Sequence, residues 1–149
     1  AGCQLVAACD LAVAADDSRF ATSGINVGLF CSTPSVPVSR NLGRKQAMEL
    51  LLTGHFIDAH TALQWGLVNR VVPASRLDQE VADLAGSIMS KSWVAVATGK
   101  RMFYKQLELP LESAYDYASG VMAGNMMADD VEEGVDAFMQ KRTPVWKHQ

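Results

Sequence analysis

Cys31 lies in a stretch that could form a binding site, running from Gly24 to Pro37 and rich in Gly, Pro, Ser and Thr. This composition favours a loop folded around a ligand over a regular element. Among its polar side chains, which include Asn26, Cys31 is the only candidate nucleophile. The thiolate is the reactive form, and no basic residue neighbours Cys31 in sequence to favour it. A small buried thiol is therefore the simpler interpretation, and a reactive thiol is the alternative.

The other side chains that could bind a metal ion show no ligand spacing. The cysteines are odd in number, with no Cys-x-x-Cys pair, and the histidines form no His-Glu-x-x-His pattern. We therefore expect no metal, no disulfide framework, and reduced thiols in an intracellular protein. The residues concerned are Cys3, Cys9, Cys31, His55, His60 and His148.

Composition narrows the class of protein that could carry such a site. The chain has 149 residues, 49% of them hydrophobic, which is enough for one domain with a buried core. Its net charge of −3, with the charges scattered along the chain, argues against nucleic acid as the main partner. No apolar run is long enough to span a bilayer, so we expect no membrane partner.

In the first region of the chain, residues 1–73, helix and strand signals alternate as is typical of an α/β protein. Small apolar residues favour a tightly packed first helix, and breakers or caps such as Gly54, Asp58 and Pro73 separate the later elements. The pattern predicts helices over 3–9, 44–53 and 58–65, strands over 11–15 and 67–72, and a short strand over 20–22.

The second region, residues 74–149, contains no convincing strand, and its apolar residues recur at helical spacing. Its last helix is predicted to begin at Asp129, where acidic residues favour the positive end of the helix dipole, and to end with Lys141 and Arg142. Its core face is predicted to bury Val131, Val135 and Phe138.

The chain begins without methionine, in what is predicted to be the first turn of a buried helix. Domains seldom begin at such a point. We expect an N-terminal portion to precede Ala1 in the full-length protein.

Short motifs in a fixed order along the whole chain resemble the crotonase family, also called the enoyl-CoA hydratase/isomerase superfamily. Each is weak alone, and the order and spacing carry the resemblance. They lie at 1–10, 20–28, 52–59, 66–68, 72–73 and 133–142. Residues 2–7, 27–34 and 103–107 further resemble one branch, the enoyl-CoA hydratase domain-containing protein 3 group.

The resemblance implies an α/β crotonase-like spiral of ββα units, of which this chain holds the later turns, followed by a helical trimerisation region. Residues 1–73 would belong to the spiral and 74–149 to the helical region that covers coenzyme A. The implied partners are an acyl-CoA substrate and further copies of the chain in a homotrimer or hexamer. No separate cofactor is implied, because coenzyme A is part of the substrate, and the implied location is the cytoplasm, or the mitochondrial matrix in a eukaryote.

The same resemblance assigns roles to residues at the start of the first helix. The backbone N–H of Ala1, followed by Gly2, matches a donor that stabilises the negative oxygen of a thioester enolate. Gln4 and Gly24 match the positions of the hydratase glutamates. Neither glutamine nor glycine can exchange a proton at useful pH, so hydration is doubtful.

Gly2 and four further residues match substrate-binding positions of the family. Asn26 and Cys31 would line the acyl pocket, and Phe138 and Lys141 would reach the coenzyme A bound by a neighbouring subunit. Core packing of Phe138 and a dipole effect on Lys141 are the alternatives. Three functions stay open: an acyl-CoA enzyme, a non-catalytic acyl-CoA-binding or assembly protein, and a helical partner module.

Overall fold

The computed structural model describes residues 1–147, so His148 lies outside the described part of the chain. The described residues divide into two compact units, one from Ala1 to Asp83 and the other from Leu84 onward. The division predicted near Pro73 between a spiral core and a helical region stays a prediction.

The first unit mixes helices and short strands. Its helices are α1 (Gly2–Ala8), α2 (Ser32–Asn41), α3 (Arg44–Thr53), α4 (Ala59–Trp65) and the first half of α5 (Leu77–Met89), with 3₁₀ turns at Ser23–Val27 and Ala74–Arg76. Its strands are β1 (Val13–Ala15), β2 (Arg19–Phe20), β3 (Ile57–Asp58) and β4 (Arg70–Val72). The predicted α/β class is confirmed.

The strands form two small pairs. β1 runs parallel to β4 with Ala14 opposite Val71, and β2 runs antiparallel to β3 with Phe20 opposite Ile57. The parallel pair needs a long crossover, and α2, α3 and α4 supply it. The core of the unit lies among these helices, where Val38 and Leu50 are its largest fully buried side chains.

The predicted loop from Gly24 to Pro37 is wrong in its second half, because residues 32–41 form α2. Pro34 lies in the first helical turn, where the N–H that proline lacks has no partner within the helix anyway. Pro37 does remove an interior hydrogen bond, but burial of Val38 on the same helix favours the helical form.

The strands are shorter than the apolar runs predicted. Before β1, Leu11 is 43% exposed. Before β4, the N–H of Leu67 donates to the carbonyl of Ala62 at 2.8 Å, so the chain is still closing the end of α4 there. Leu67 and Val68 are buried all the same, and burial rather than strand pairing explains their apolar character.

The second unit is helical throughout its described residues. It contains the second half of α5 and the helices α6 (Trp93–Leu107), α7 (Leu111–Asn125) and α8 (Asp129–Met139). Helices α6 and α7 pack against each other. Ser92 caps α6 by accepting a hydrogen bond from the N–H of Ala95, and its hydroxyl donates to the buried carboxylate of Asp130 at 2.5 Å.

The core face predicted for the last helix is wrong. Val135 is 56% exposed and Phe138 is 81% exposed, whereas Ala137 and Asp130 are buried. The helix also ends at Met139, and Lys141 takes a left-handed conformation with φ of 54°. The apolar stripe of α8 is therefore exposed to solvent in this chain, although its residues have the spacing of a packed face.

The segment after α8 is fixed to that helix by carboxylates. Arg142 donates from Nη2 to Oε2 of Glu133 at 2.8 Å, and the N–H of Val145 donates to Oε1 of Glu133 at 2.7 Å. The N–H of Lys147 donates to Oδ1 of Asp130 at 2.7 Å. The side-chain hydrogen bond from Arg142, followed by the backbone bond from Val145, lowers the pKa of Glu133 from 4.5 to about 2.

Replacing Glu133 with glutamine is expected to lower the melting temperature at neutral pH and to lose this effect in acid. Because the pKa of Glu133 is depressed in the folded state, its stabilisation is fully present above pH 4.5 and disappears as the pH falls toward about 2. The melting temperatures of wild type and Glu133→Gln, measured from pH 7 to pH 2.5, should therefore converge as the pH falls. The neighbouring Glu132→Gln, which also removes one charge from the helix, is the control, and an equal effect of both variants would contradict the prediction.

Candidate active site

A cavity of about 130 Å³ lies at the start of α1. The other walls come from the segment that follows β2 and from the beginning of α2. The lining residues are Ala1, Cys3, Gln4, Ala21, Thr22, Ser23, Gly24, Cys31 and Pro34. All of them belong to the first unit.

Side-chain hydrogen bonds from Thr22 and Asn41 hold the walls of this cavity in place. The hydroxyl of Thr22, which is 3% exposed, donates to the carbonyl of Leu50 at 2.8 Å and attaches one wall to α3. The amide of Asn41 donates to the carbonyls of Ala7 at 2.8 Å and Pro37 at 2.9 Å. Asn41 therefore links the end of α1 to α2, so the two helices present their first residues to the same cavity.

The only ionisable side chains that line the cavity are the thiols of Cys3 and Cys31. Burial raises the pKa of the Cys3 thiol, and a negative charge on the nearby Cys31 raises it further. The remaining polar side chains are the amide of Gln4 and the hydroxyls of Thr22 and Ser23. These groups can bind and orient a polar ligand, but none is a carboxylate that could exchange protons near neutral pH.

Neighbouring atoms lie very close to the point at which a side chain at position 24 would begin. A Cβ atom built on Gly24 would lie 2.7 Å from the carbonyl oxygen of Leu29 and 2.9 Å from Sγ of Cys31. The N–H of Leu29 in turn donates to the carbonyl of Gly24 at 3.0 Å, which fixes this turn of the chain. A side chain at position 24 therefore requires the backbone of this turn to move.

The structure brings four of the predicted site residues together, namely Ala1, Gln4, Gly24 and Cys31, which all line the cavity. Gly2 is the first residue of α1 and lies outside the lining set. Asn26 lies outside it too, and its amide nitrogen is 3.5 Å from the carbonyl oxygen of Gly54. The catalytic and substrate-binding roles assigned to these six residues stay predictions.

Sequence reasoning missed Cys3, Thr22 and Ser23 as lining residues. Cys3 directly precedes Gln4, so its proximity to the site was visible in the sequence, but nothing there showed that it faces Cys31. Thr22 falls in the predicted short strand. The position of its side chain is fixed by the hydrogen bond to the carbonyl of Leu50, which is a tertiary contact.

Phe138 lies in the second unit, in a separate and larger cavity of about 460 Å³. This cavity is lined almost entirely by apolar groups of α6 and α8, with Trp146 at one side, and Lys141 is outside the lining set. The indole N–H of Trp146 donates to the carbonyl of Ser90 at 2.8 Å, which holds the ring there.

Residues 1–147 contain neither a membrane-spanning helix nor a metal-binding cluster. No helix among them has the length and apolarity needed to cross a bilayer. In the same described residues, no three side chains of His, Cys, Asp or Glu are grouped as a metal ion would require.

Comparison with known proteins identifies the class of protein to which this cavity and fold belong. The family model described as enoyl-CoA hydratase/isomerase matches residues 1–149. This chain belongs to the enoyl-CoA hydratase/isomerase family, so the resemblance predicted from its motifs is confirmed.

Individual relatives agree with the predicted branch. The chain is 53% identical over 148 residues to the rat mitochondrial enoyl-CoA hydratase domain-containing protein 3, covering 99% of this chain and 49% of that protein. The chain spans about half the length of this and other curated relatives of the same name.

Solved structures support the crotonase fold directly. A Mycobacterium smegmatis enoyl-CoA hydratase is 57% identical, with a TM-score of 0.94 over 97% of this chain and 56% of the other. The human enoyl-CoA hydratase domain-containing protein 3 is 52% identical, with a TM-score of 0.92 over 97% of this chain and 57% of the other. The fold is the α/β crotonase fold.

Proposed function

We propose that this chain forms part of a protein that processes acyl-CoA thioesters and stabilises a thioester enolate with backbone N–H groups at the start of α1. The observation that carries the proposal is the cavity there, which Ala1, Gln4, Gly24 and Cys31 line together. Relatives named enoyl-CoA hydratase support an acyl-CoA as the ligand. Coenzyme A would enter as part of the substrate, with no separate cofactor.

The lining residues argue against hydration as the reaction. Adding water to a carbon–carbon double bond requires one proton to be removed and another delivered, and paired carboxylates are suited to both. Gln4 can hold a water molecule by hydrogen bonds but cannot accept its proton, and Gly24 has no side chain. An enolate-based reaction of another kind fits this set of residues better.

A non-catalytic acyl-CoA-binding or assembly protein is the second candidate. It is favoured by the absence of a carboxylate among the lining residues and by the open apolar stripe on α8, where Phe138 is 81% exposed. Large exposed apolar groups of this kind mark interaction surfaces. They also support the proposed homotrimer or hexamer, in which Phe138 and Lys141 would reach the coenzyme A of a neighbouring subunit.

The name of the rat relative places that protein in mitochondria. It supports the intracellular location expected from the cysteines, which for a eukaryotic source would be the mitochondrial matrix.

A panel of saturated and unsaturated acyl-CoA thioesters, incubated with the full-length protein, tests the proposal. We expect at least one member to be turned over, and free coenzyme A and free carboxylic acids to remain unchanged. Tight binding without turnover of any member would favour the second candidate. Failure of every thioester to bind, measured by calorimetry, would exclude both candidates and leave a helical partner module.

A further inference from the structure

An enolate of a saturated thioester forms only when a proton leaves the carbon next to the carbonyl. The proposed function therefore requires a base within reach of that carbon, because backbone N–H groups stabilise the oxygen but accept no proton. Within this chain, the candidates for such a base are the side chains that line the cavity of α1, since a general base acts within hydrogen-bonding distance or through one water molecule.

Among those lining side chains, the thiols of Cys3 and Cys31 are the ionisable groups. Cys3 is disfavoured, because burial raises the pKa of its thiol and so disfavours the thiolate. The amide of Gln4 and the hydroxyls of Thr22 and Ser23 are too weak as bases.

Cys31 is placed differently. It is the N-cap residue of α2, whose ten residues, Ser32–Asn41, follow it, and its side chain makes no capping hydrogen bond. Its sulfur lies 2.9 Å from the point at which a side chain on Gly24 would begin. The thiol therefore fills the space that a carboxylate side chain at position 24 would need.

We propose that Cys31 is the catalytic base that removes the α-proton of the bound acyl thioester. This inference rests on the proposed function of the same cavity. The thiolate takes the proton, the electron pair of the carbon–hydrogen bond becomes the carbon–carbon double bond of the enolate, and the negative charge moves to the thioester oxygen. Return of a proton from the thiol to the same carbon regenerates the thioester, so no oxidant, reductant or further reactant is consumed.

Exchange of this proton with solvent deuterium provides a direct measurement. Butyryl-CoA, which has no double bond to hydrate, is incubated with the full-length protein in heavy water, and the α-methylene signal is followed by proton NMR. We expect the wild-type protein to exchange these hydrogens, and Cys31→Ser and Cys31→Ala to do so at least about 10²-fold more slowly, the lower range for loss of a general base.

Cys9→Ser is the matched control. Cys9 is an exposed thiol at the end of α1 and lies outside the lining set, so its variant is expected to exchange at the wild-type rate. Serine has nearly the size of cysteine, and unchanged melting temperatures will show that the variants are folded. Equal exchange by Cys31→Ser and wild type, or a loss seen only in Cys3→Ser, would overturn the assignment of Cys31.

Calorimetric binding of butyryl-CoA separates this inference from the proposed function. If the wild-type protein binds butyryl-CoA but exchanges no proton, the role of Cys31 is wrong and the acyl-CoA site stands. If butyryl-CoA does not bind, the proposed function itself is wrong.

Discussion

Full-length wild-type protein is expected to hydrate crotonyl-CoA at least about 10⁴-fold more slowly than a family hydratase that carries both glutamates. Each general acid or base contributes roughly 10²–10⁴-fold, and in the proposed match Gln4 and Gly24 take the places of both glutamates. The loss of enoyl-thioester absorbance, followed under identical conditions for both proteins, measures the difference. A wild-type rate comparable to that of the hydratase would show that another acid and base line the cavity.

The double variant Gln4→Glu with Gly24→Glu is expected not to restore the rate of a hydratase. Glutamate can replace Gln4 with little change in size. At position 24, however, the new Cβ would lie 2.7 Å from the backbone oxygen of Leu29, so the turn would have to move. Gln4→Glu alone is the matched control, because it adds a carboxylate without this clash. Full activity of the double variant, with an unchanged melting temperature, would contradict the structural argument.

The sequence predicted those parts of the fold that local signals determine. The helix Arg44–Thr53 ends at Gly54, which takes φ of 62°, and Asp58 caps α4 by accepting from the N–H of Thr61. Both boundaries follow from the preference of one residue type for one backbone conformation or one hydrogen bond. These boundaries could be predicted without knowing which residues pack against the helix.

The errors occurred where tertiary contacts outweigh local preference. The prolines of α2 predicted a loop, yet the burial of Val38 favours the helix. Phe138 has the spacing of a core residue and is exposed, because periodicity shows that a face is apolar but not what covers it.

The candidate site was predicted only in part for the same reason. Motif order predicted Gln4 and Gly24, but the approach of Cys31 to Cys3 depends on how α1 and α2 pack. Cys3 and Cys31 are 28 positions apart in the chain and carry no local signal of their proximity.

Replacing Gly2 with proline is expected to lower turnover of an acyl-CoA substrate, because the proline ring crowds the N–H of Ala1, the proposed donor to the oxyanion. Complete loss of that donor would lower turnover by about 10²–10³-fold. Gly2 is the first residue of α1, so proline removes an N–H at the helix start and puts a ring methylene beside the N–H of Ala1. The rate constant kcat of the full-length variant, measured with whichever acyl-CoA the wild type turns over, gives the effect.

The fold should tolerate this change, which is what makes the variant informative. The first position of a helix accepts proline, because its N–H makes no bond within the helix, and a Cβ on Gly2 would meet no atom within 4 Å. Gly2→Ala is the matched control, since it adds the same Cβ but keeps the N–H, and it should retain turnover within a few-fold. If both variants lost activity equally, bulk at the cavity would be the cause; if both retained it, the start of α1 would not be the place where the enolate is stabilised.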